Sequence, residues 1–192
     1  VFIAQPAEER LGGAEAMLND GLFERFPKPD LCLALHDTPE LAVGQFGLTS
    51  GPATANVDSV DIIVRGLGGH GAMPDKAKDP VVLAAQIVLA LQTIRSREIA
   101  PIEGGVVTVG SIHGGTQHNI IPDEVRLQLT VRTFSMEARK AVLDSIARIA
   151  RGQGISAGLP DDLLPEIKTR DYFTPVLIND AAQIEKLRGV FT

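Results

Sequence analysis

The sequence predicts an α+β domain in which strands and helices follow the order β-α-β-β-α-β. Residues 124–134 alternate cleanly, with apolar side chains on one face of the predicted strand and polar ones on the other. Two helix starts are marked, by Asp79 before Pro80 and by Ser135, because such side chains cap the free amides of a first helical turn. Strand-like runs flank both helices. This order is that of the ferredoxin-like fold, a four-stranded antiparallel sheet with two helices on one face.

The other elements of this domain follow from the same patterns. Val60, Ile62 and Val64 alternate along the first strand. The first helix carries a broad apolar face, and Gly152 or Gly154 is expected to end the second helix. In chain order the predicted elements are a strand at 57–65, a helix from 80 to about 97, a strand at 105–112, a strand at 124–134, a helix from 136 to about 151 and a strand at 164–173.

Two apolar runs precede this domain. Residues 1–4 and 31–35 are short and apolar, and a helix is predicted between them at 11–20. Together they predict one parallel βαβ unit. Cys32 lies within the second run and is expected to be a small buried hydrophobe. Because two strands cannot form an independently stable sheet, this unit predicts one part of a larger α/β domain.

The flanking segments define the predicted domain boundaries. Residues 43–55 are rich in Gly, Thr, Ser and Pro and predict short strands that lead into a linker, and residues 180–192 predict a helix. We therefore expect an intact small domain at 56–174, inserted into a larger domain of which 1–55 and 175–192 are parts. On this interpretation the chain is an internal piece of a longer protein.

Composition argues against some classes of partner. A formal net charge of −6, with no local basic cluster, is unfavourable for binding nucleic acid. No apolar run approaches the length of a membrane-spanning helix, so no membrane partner is expected. The single cysteine excludes an intrachain disulfide.

Two carboxylates and a histidine follow the predicted strands of the flanking unit. Glu8 and Glu9 come just after Pro6, which ends the strand pattern because it offers no amide donor. His36 follows the second strand, so all three side chains are expected at the carboxyl edge, where α/β sheets bind ligands. A metal site uses such groups as ligands, with a neighbouring carboxylate as base toward a metal-bound water. A solvated acidic pair and a hydrogen-bonded structural histidine are the alternatives.

Several motifs occur together and in order along nearly the whole chain. They are Gln5-Pro-Ala-Glu-Glu9, His36, the Gly-Gly-His-Gly core of residues 66–74, Asp79-Pro80, Thr93-Ile-Arg-Ser-Arg97 and Asn119-Ile-Ile-Pro within residues 114–122. In this combination the chain resembles the M20 metallopeptidase family. The resemblance is closest to its amidohydrolase branch, the hippurate and auxin-conjugate hydrolases and related aminoacylases.

The resemblance implies the architecture and chemistry of a whole enzyme. The family inserts a ferredoxin-like lid, through which it forms homodimers, into a zinc-peptidase α/β catalytic domain. That domain binds two divalent metal ions, zinc or manganese, and hydrolyses an amide bond in N-acyl amino acids or small peptides. The family's upstream ligand motif and its ligating histidine near the C-terminus match no residue of this chain. We therefore expect an active parent enzyme and an inactive fragment.

The resemblance also implies roles for individual residues. Glu8 corresponds to the general base that activates the water between the metals. Glu9 and His36 correspond to metal ligands, one toward each ion. His70 corresponds to a lid histidine that stabilises the oxyanion, in its own active site or in that of the partner subunit. Asn119 corresponds to a lid asparagine that contacts the substrate.

Arg132 is a further candidate for substrate binding, because it faces away from the predicted core and suits a substrate carboxylate. The alternative is a solvated strand arginine. Two other function classes stay open at this point. One is a dimerisation or ligand-binding module without catalysis. The other is a phosphate-binding loop at 66–71, which is disfavoured because it lacks the Lys-Ser/Thr pair of a P-loop.

Overall fold

The computed structural model of the chain describes residues 1–8, 12–170 and 172–191. It divides into two compact units, one of residues 50–183 and one of residues 1–49 with 184–192. The predicted boundaries of the inserted domain stay predictions. In chain order the elements are α1 (Gly13–Asn19), α2 (Leu22–Arg25), β1 (Gly51–Thr54), β2 (Asn56–Arg65), β3 (Gly69–His70), α3 (Pro80–Thr93), β4 (Gly105–Gly114), β5 (Ile120–Ile121), β6 (Glu124–Thr133), α4 (Met136–Ser156), β7 (Glu166–Thr169), β8 (Leu177–Asn179) and α5 (Ala181–Phe191).

The larger unit is built on a four-stranded sheet in the order β4-β6-β2-β7, with every neighbouring pair antiparallel. Along the chain, these four strands and the two long helices follow the order β2-α3-β4-β6-α4-β7, so the predicted ferredoxin-like topology is confirmed. The first three predicted strands match the observed ones to within two residues. The fourth is shorter than predicted and covers only Glu166–Thr169.

The hydrophobic core lies between this sheet and the helices α3 and α4. The alternation along β6 sets the inner face, because every second side chain of a strand points to the same side. Fully buried side chains from the sheet and from both helices form one cluster, which includes Val60, Ile62, Val64, Leu83, Ile87, Leu91, Leu127, Val131, Val142 and Ile146. The opposite face of the sheet is open and carries polar side chains.

Both predicted helix caps are confirmed. The Asp79 carboxylate accepts hydrogen bonds from the amides of Val81 and Val82, at 2.8 and 3.3 Å. The Ser135 hydroxyl accepts a hydrogen bond from the Ala138 amide at 3.0 Å. These bonds satisfy amides that the first helical turn leaves without a partner. After Thr93, α3 continues as a wider π-helical turn to residue 98.

The predicted end of α4 is wrong. The helix passes through Gly152 and Gly154 and ends at Ser156. A Cβ at Gly154 would lie 2.6 Å from the Pro165 ring, so the glycine allows the helix to pack closely against Pro165. The terminator is Gly158, whose φ of +70° is the left-handed conformation that commonly follows a helix.

The smaller unit departs from the prediction. Residues 1–4 and 31–35 form no strand, although both lie within the described part of the chain, and their side chains are exposed. Cys32 is exposed too, so its expected burial is wrong. A pair of strands has too little surface to bury, and local apolar character alone does not order them. The two helices predicted at 11–20 and 180–192 are observed as α1 and α5. The Phe191 ring stacks on the Phe46 ring, with 4.3 Å between the ring centroids.

A buried polar cluster closes the end of the sheet at which the β1–β8 ribbon begins. Asn56 is fully buried; its amide nitrogen donates to the Thr133 hydroxyl at 3.1 Å and its oxygen accepts the Val176 amide at 2.6 Å. Beside it, Arg139 makes a bidentate ion pair with the buried Asp58, with contacts of 2.7 to 3.1 Å. These bonds hold α4 and the segment that follows β7 against β2.

Candidate functional site

A two-stranded extension of the sheet carries the predicted lid histidine. In it, β3 pairs with β5, so that His70 lies opposite Ile120. One segment of the extension follows the end of β2, and the other leads into the start of β6. Where they leave the main sheet, the Gly66 amide donates to the Asp123 carbonyl at 2.8 Å. We call this pair of segments, residues 66–70 and residues 119–123, the histidine hairpin, although no turn joins them directly.

The His70 ring is exposed and held in one tautomer. Its Nδ1 accepts a hydrogen bond from the Ala72 amide at 3.1 Å, and an amide nitrogen can only donate. The neutral ring therefore carries its proton on Nε2, at the exposed side. A second bond fixes the backbone, since the His70 carbonyl accepts the Met73 amide at 2.8 Å. This arrangement leaves an N–H donor at the exposed side of the ring, which is the kind of group that can stabilise negative charge on an oxygen.

Asn119 lies beside His70 on the neighbouring limb of the hairpin. Its carbonyl accepts the Gly71 amide at 2.8 Å. A Cβ on Gly71 would come within 3.1 Å of that carbonyl oxygen, so a larger residue would push the two limbs apart. Both functional candidates are exposed. The structure thus brings two residues that are 49 positions apart in the sequence to one end of the sheet.

Arg132 lies at the other end of the sheet, on the open face of β6. Its cross-strand neighbours are Val57 and Val106, which offer no charge. Its side chain is exposed and has no ion-pair or hydrogen-bond partner within residues 1–8, 12–170 and 172–191. In contrast, Arg126 on the same face binds Asp61 at 2.5 Å. The guanidinium of Arg132 is therefore available to an external carboxylate.

The two ends of the sheet are too far apart to serve one small substrate. Arg132 is eight residues from Glu124, the first residue of β6 and the neighbour of the histidine hairpin. At about 3.3 Å per residue this separation is roughly 26 Å along the strand. That length greatly exceeds a molecule of amino-acid size, so one lid cannot place His70, Asn119 and Arg132 on the same small molecule.

The open face between the two ends carries paired charges. Burial raises the pKa of Asp61, but hydrogen bonds from Arg126 and Gln128 and the positive charge of Arg170 outweigh it, and the pKa lies below its usual value of 3.8. Arg65 binds Glu166 at 2.7 Å and so lowers the pKa of that carboxyl. These pairs leave no arginine without a partner in the middle of β2 or β6, within the part of the chain that the structure describes.

The predicted metal and base residues lie in the smaller unit. Glu8 is exposed at the end of a turn, directly after Ala7, which has a positive φ of 49°. Glu9 lies outside the described residues. His36 is exposed, and its Nδ1 donates to the Asp37 carbonyl at 3.0 Å, which places the lone pair on Nε2. Ligating histidines are commonly held in this way by a carbonyl. Within the described ranges no three His, Cys, Asp or Glu side chains form a metal-holding group.

The protein-family model of the M20 peptidase dimerisation domain matches residues 52–156 of the sequence, which is more than half of the chain. The chain therefore belongs to the M20 peptidase family, and the part of it that matches that family's peptidase dimerisation domain lies within the ferredoxin-like unit. This finding agrees with the resemblance that the sequence motifs indicated.

The proteins with related sequences and structures are named as deacetylases, hydrolases and peptidases. The chain is 37% identical over 193 residues to an N-acetyl-L-cysteine deacetylase of Bacillus subtilis, covering 98% of this chain and 46% of that protein. It is 43% identical over 148 residues to a hippurate hydrolase of Campylobacter jejuni, covering 77% and 38% of the two chains. The crystal structure of the YXEP protein of Bacillus subtilis, a dinuclear metal binding peptidase of the M20 family, matches with a TM-score of 0.69 and 31% identity, over 99% of this chain and 45% of that one. The chain spans less than half the length of each.

Proposed function

We propose that the full-length protein is a metal-dependent amidohydrolase that cleaves the amide bond of N-acyl amino acids or small peptides. The observation that carries this proposal is membership of the M20 family together with the exposed Nε2 donor of His70. The names of the relatives, a deacetylase and a hippurate hydrolase, support an N-acyl amino acid as the substrate class. We expect the 192-residue chain by itself to bind metal weakly and to be inactive.

Glu8, Glu9 and His36 contribute the part of the metal site that this chain supplies. His36 and Glu9 hold the ions, two per full site and either zinc or manganese, and Glu8 acts as the general base. The tautomer of His36 fits this role, because its Nε2 carries the lone pair that a metal needs. When bound, the metals lower the pKa of a bound water and polarise the substrate carbonyl.

Substrate recognition is divided between two subunits. His70 donates from Nε2 to the oxyanion that forms at the amide carbonyl, and Asn119 binds the substrate beside it. Arg132 binds the carboxylate of the amino acid. Because the histidine hairpin and Arg132 lie roughly 26 Å apart on one sheet, His70 and Asn119 of one subunit act together with Arg132 of the other. A two-fold dimer forms two such sites.

The dimer uses the edge of the lid sheet. β4 is an outer strand of the four-stranded sheet and so presents unpaired backbone groups. On the adjoining helix α3, Val82 and Leu89 are apolar but more than half exposed, at 55% and 73%. An edge strand beside exposed apolar side chains suits contact with a second copy. Sedimentation of the full-length protein at tens of micromolar tests this, and a monomer alone would contradict it.

Two carboxylate variants of the full-length enzyme test the proposed chemistry. Glu8→Gln is expected to keep the metals, because Glu8 is not a ligand, and to lower kcat by about 10²- to 10⁴-fold through loss of the base. Glu9→Gln is expected to lose metal. Glu40→Gln, at an exposed position of the same unit, is the control and should change neither. If Glu8→Gln loses metal while Glu9→Gln keeps metal and activity, the two assignments are wrong.

A further inference from the structure

We propose that Asp123 positions His70, acting through the backbone of the histidine hairpin. This inference rests on the proposed role of His70 in the reaction. The carboxylate of Asp123 accepts a hydrogen bond from the Gly68 amide at 2.9 Å, and the carbonyl of the same residue accepts the Gly66 amide at 2.8 Å. One residue thus holds two amides of the limb that leads to His70.

The ladder of the hairpin is irregular at the point where Asp123 binds. Gly66 bonds to Asp123, and the next pair along is Gly69 opposite Ile121. Two residues on one limb therefore face only Pro122 on the other, which is the pattern of a β-bulge. Pro122 has no amide to donate, and so it cannot restore the ladder.

The two residues that face Pro122 in the bulge find other partners. Leu67 turns to the far side of the loop, where its amide and carbonyl both bond to Lys78 at 2.9 Å. Gly68 has its amide on the Asp123 carboxylate instead. A Cβ on Gly68 would lie 2.7 Å from that carboxylate oxygen and 2.7 Å from the Ile121 carbonyl. The side chain of Asp123 therefore replaces the ladder bond that the bulge removes.

The position of the bulge determines where His70 points. Side chains of a strand alternate between faces, so a shift of pairing by one residue would turn His70 to the other side of the hairpin. The carboxylate of Asp123 fixes this register two residues before His70. Asp123 is itself exposed, so its truncation creates no buried cavity and leaves the main sheet intact.

The test uses the full-length enzyme with three variants. Asp123→Ala removes the acceptor, and Asp123→Asn keeps an oxygen that accepts the Gly68 amide. Asp75→Ala is the control, since Asp75 is an exposed carboxylate of the same loop without a hydrogen bond to the described residues. Asp123→Ala should speed amide exchange at Gly68 to His70 and lower kcat by about 3- to 10-fold, the worth of one hydrogen bond. KM and metal content should stay unchanged, and Asp123→Asn should restore both exchange and kcat.

Exchange and turnover separate this inference from the function on which it rests. If exchange in Asp123→Ala equals that in Asp75→Ala, Asp123 does not hold the hairpin and the inference is wrong. If exchange rises and kcat stays at the wild-type value while His70→Ala is slow, the hairpin does not need Asp123 to place His70, and the inference is again wrong. If His70→Ala itself retains full activity, the role proposed for His70 fails, whatever the exchange shows.

Discussion

The two ends of the lid sheet hold their polar side chains in different ways. At the end with His70 and Asn119, backbone hydrogen bonds and closely packed glycines order a hairpin whose functional side chains are exposed. At the end with Arg132, the polar groups of Asn56 and Asp58 are buried and bonded to other side chains. We infer that the histidine end contributes mainly to function and the arginine end mainly to stability, with Arg132 as the exposed exception.

The largest expected effect is on stability at the arginine end. Asp58 is 3% exposed and pairs with Arg139, so Asp58→Ala leaves a largely buried guanidinium without its partner. Breaking such a pair costs about 3–5 kcal/mol of unfolding free energy, or roughly 10 °C in Tm for a chain of this size. Thermal unfolding measures it. Asp144→Ala, which removes an exposed pair with Lys140 on α4, is the control and should change Tm little. Equal Tm values for both variants would contradict the comparison.

The second effect is on turnover at the histidine end. His70→Ala in the full-length enzyme removes an exposed ring, so folding and metal content should stay as they are. The loss of one donor to the oxyanion should lower kcat by about 10²- to 10³-fold. His113→Ala, on the open face of β4, is the matched control and should retain full turnover. Steady-state kinetics decide the matter, and a wild-type kcat for His70→Ala would remove the functional role of this end.

The third effect is on substrate binding by Arg132. Arg132→Met keeps most of the aliphatic length and removes the charge, so the substrate carboxylate loses a charge-assisted hydrogen bond. A loss of about 1.5–3 kcal/mol corresponds to a rise in KM of roughly 10- to 100-fold. Arg126→Met removes an arginine that already binds Asp61, and its KM should not change. An equal rise in KM for both variants would indicate a general effect of charge on the open face.

The smallest effect concerns the ion pair in the middle of the sheet. Asp61 and Arg126 are partly exposed, so Asp61→Asn should cost only about 0.2–1 kcal/mol at neutral pH. The pKa of Asp61 is below 3.8 in the folded chain. Its contribution is therefore present above about pH 4 and is lost as the pH falls through the folded pKa. Urea unfolding should show a difference between wild type and variant at pH 7 that shrinks at pH 3.

The lid sheet was predictable because its signals are local and agree with one another. The alternation along β6 identifies its inner face and the outward position of Arg132, and Asp79 and Ser135 mark where the helices begin. The strands predicted at 1–4 and 31–35 do not form, because such strands need further strands beside them in a sheet and this pair alone does not provide them. The end of α4 was misplaced because Gly154 serves packing, which local sequence does not reveal.

The candidate site was predictable only residue by residue. The motif around His70 and that around Asn119 identified both side chains, but their proximity depends on the pairing of β3 with β5, which brings distant segments together. The distance from the hairpin to Arg132 follows from the strand register and not from sequence spacing. The hydrogen bonds of Asp123 to Gly66 and Gly68 were not predicted, although an aspartate directly after Pro122 is a recognisable turn signal.

The central claim is that His70 of one subunit acts with Arg132 of the other, and purified heterodimers of the full-length enzyme test it most directly. Turnover is compared at a substrate concentration well below the wild-type KM, where the lower kcat of His70→Ala and the higher KM of Arg132→Met both slow the reaction. Under that condition a heterodimer of a His70→Ala subunit with an Arg132→Met subunit should regain one intact site of two, about half of the wild-type turnover per dimer. A heterodimer of the double variant with a wild-type subunit should have no intact site and little turnover. If instead the first heterodimer stays as slow as its parents and the second retains about half of the wild-type turnover, each active site is built within one subunit and the claim is wrong.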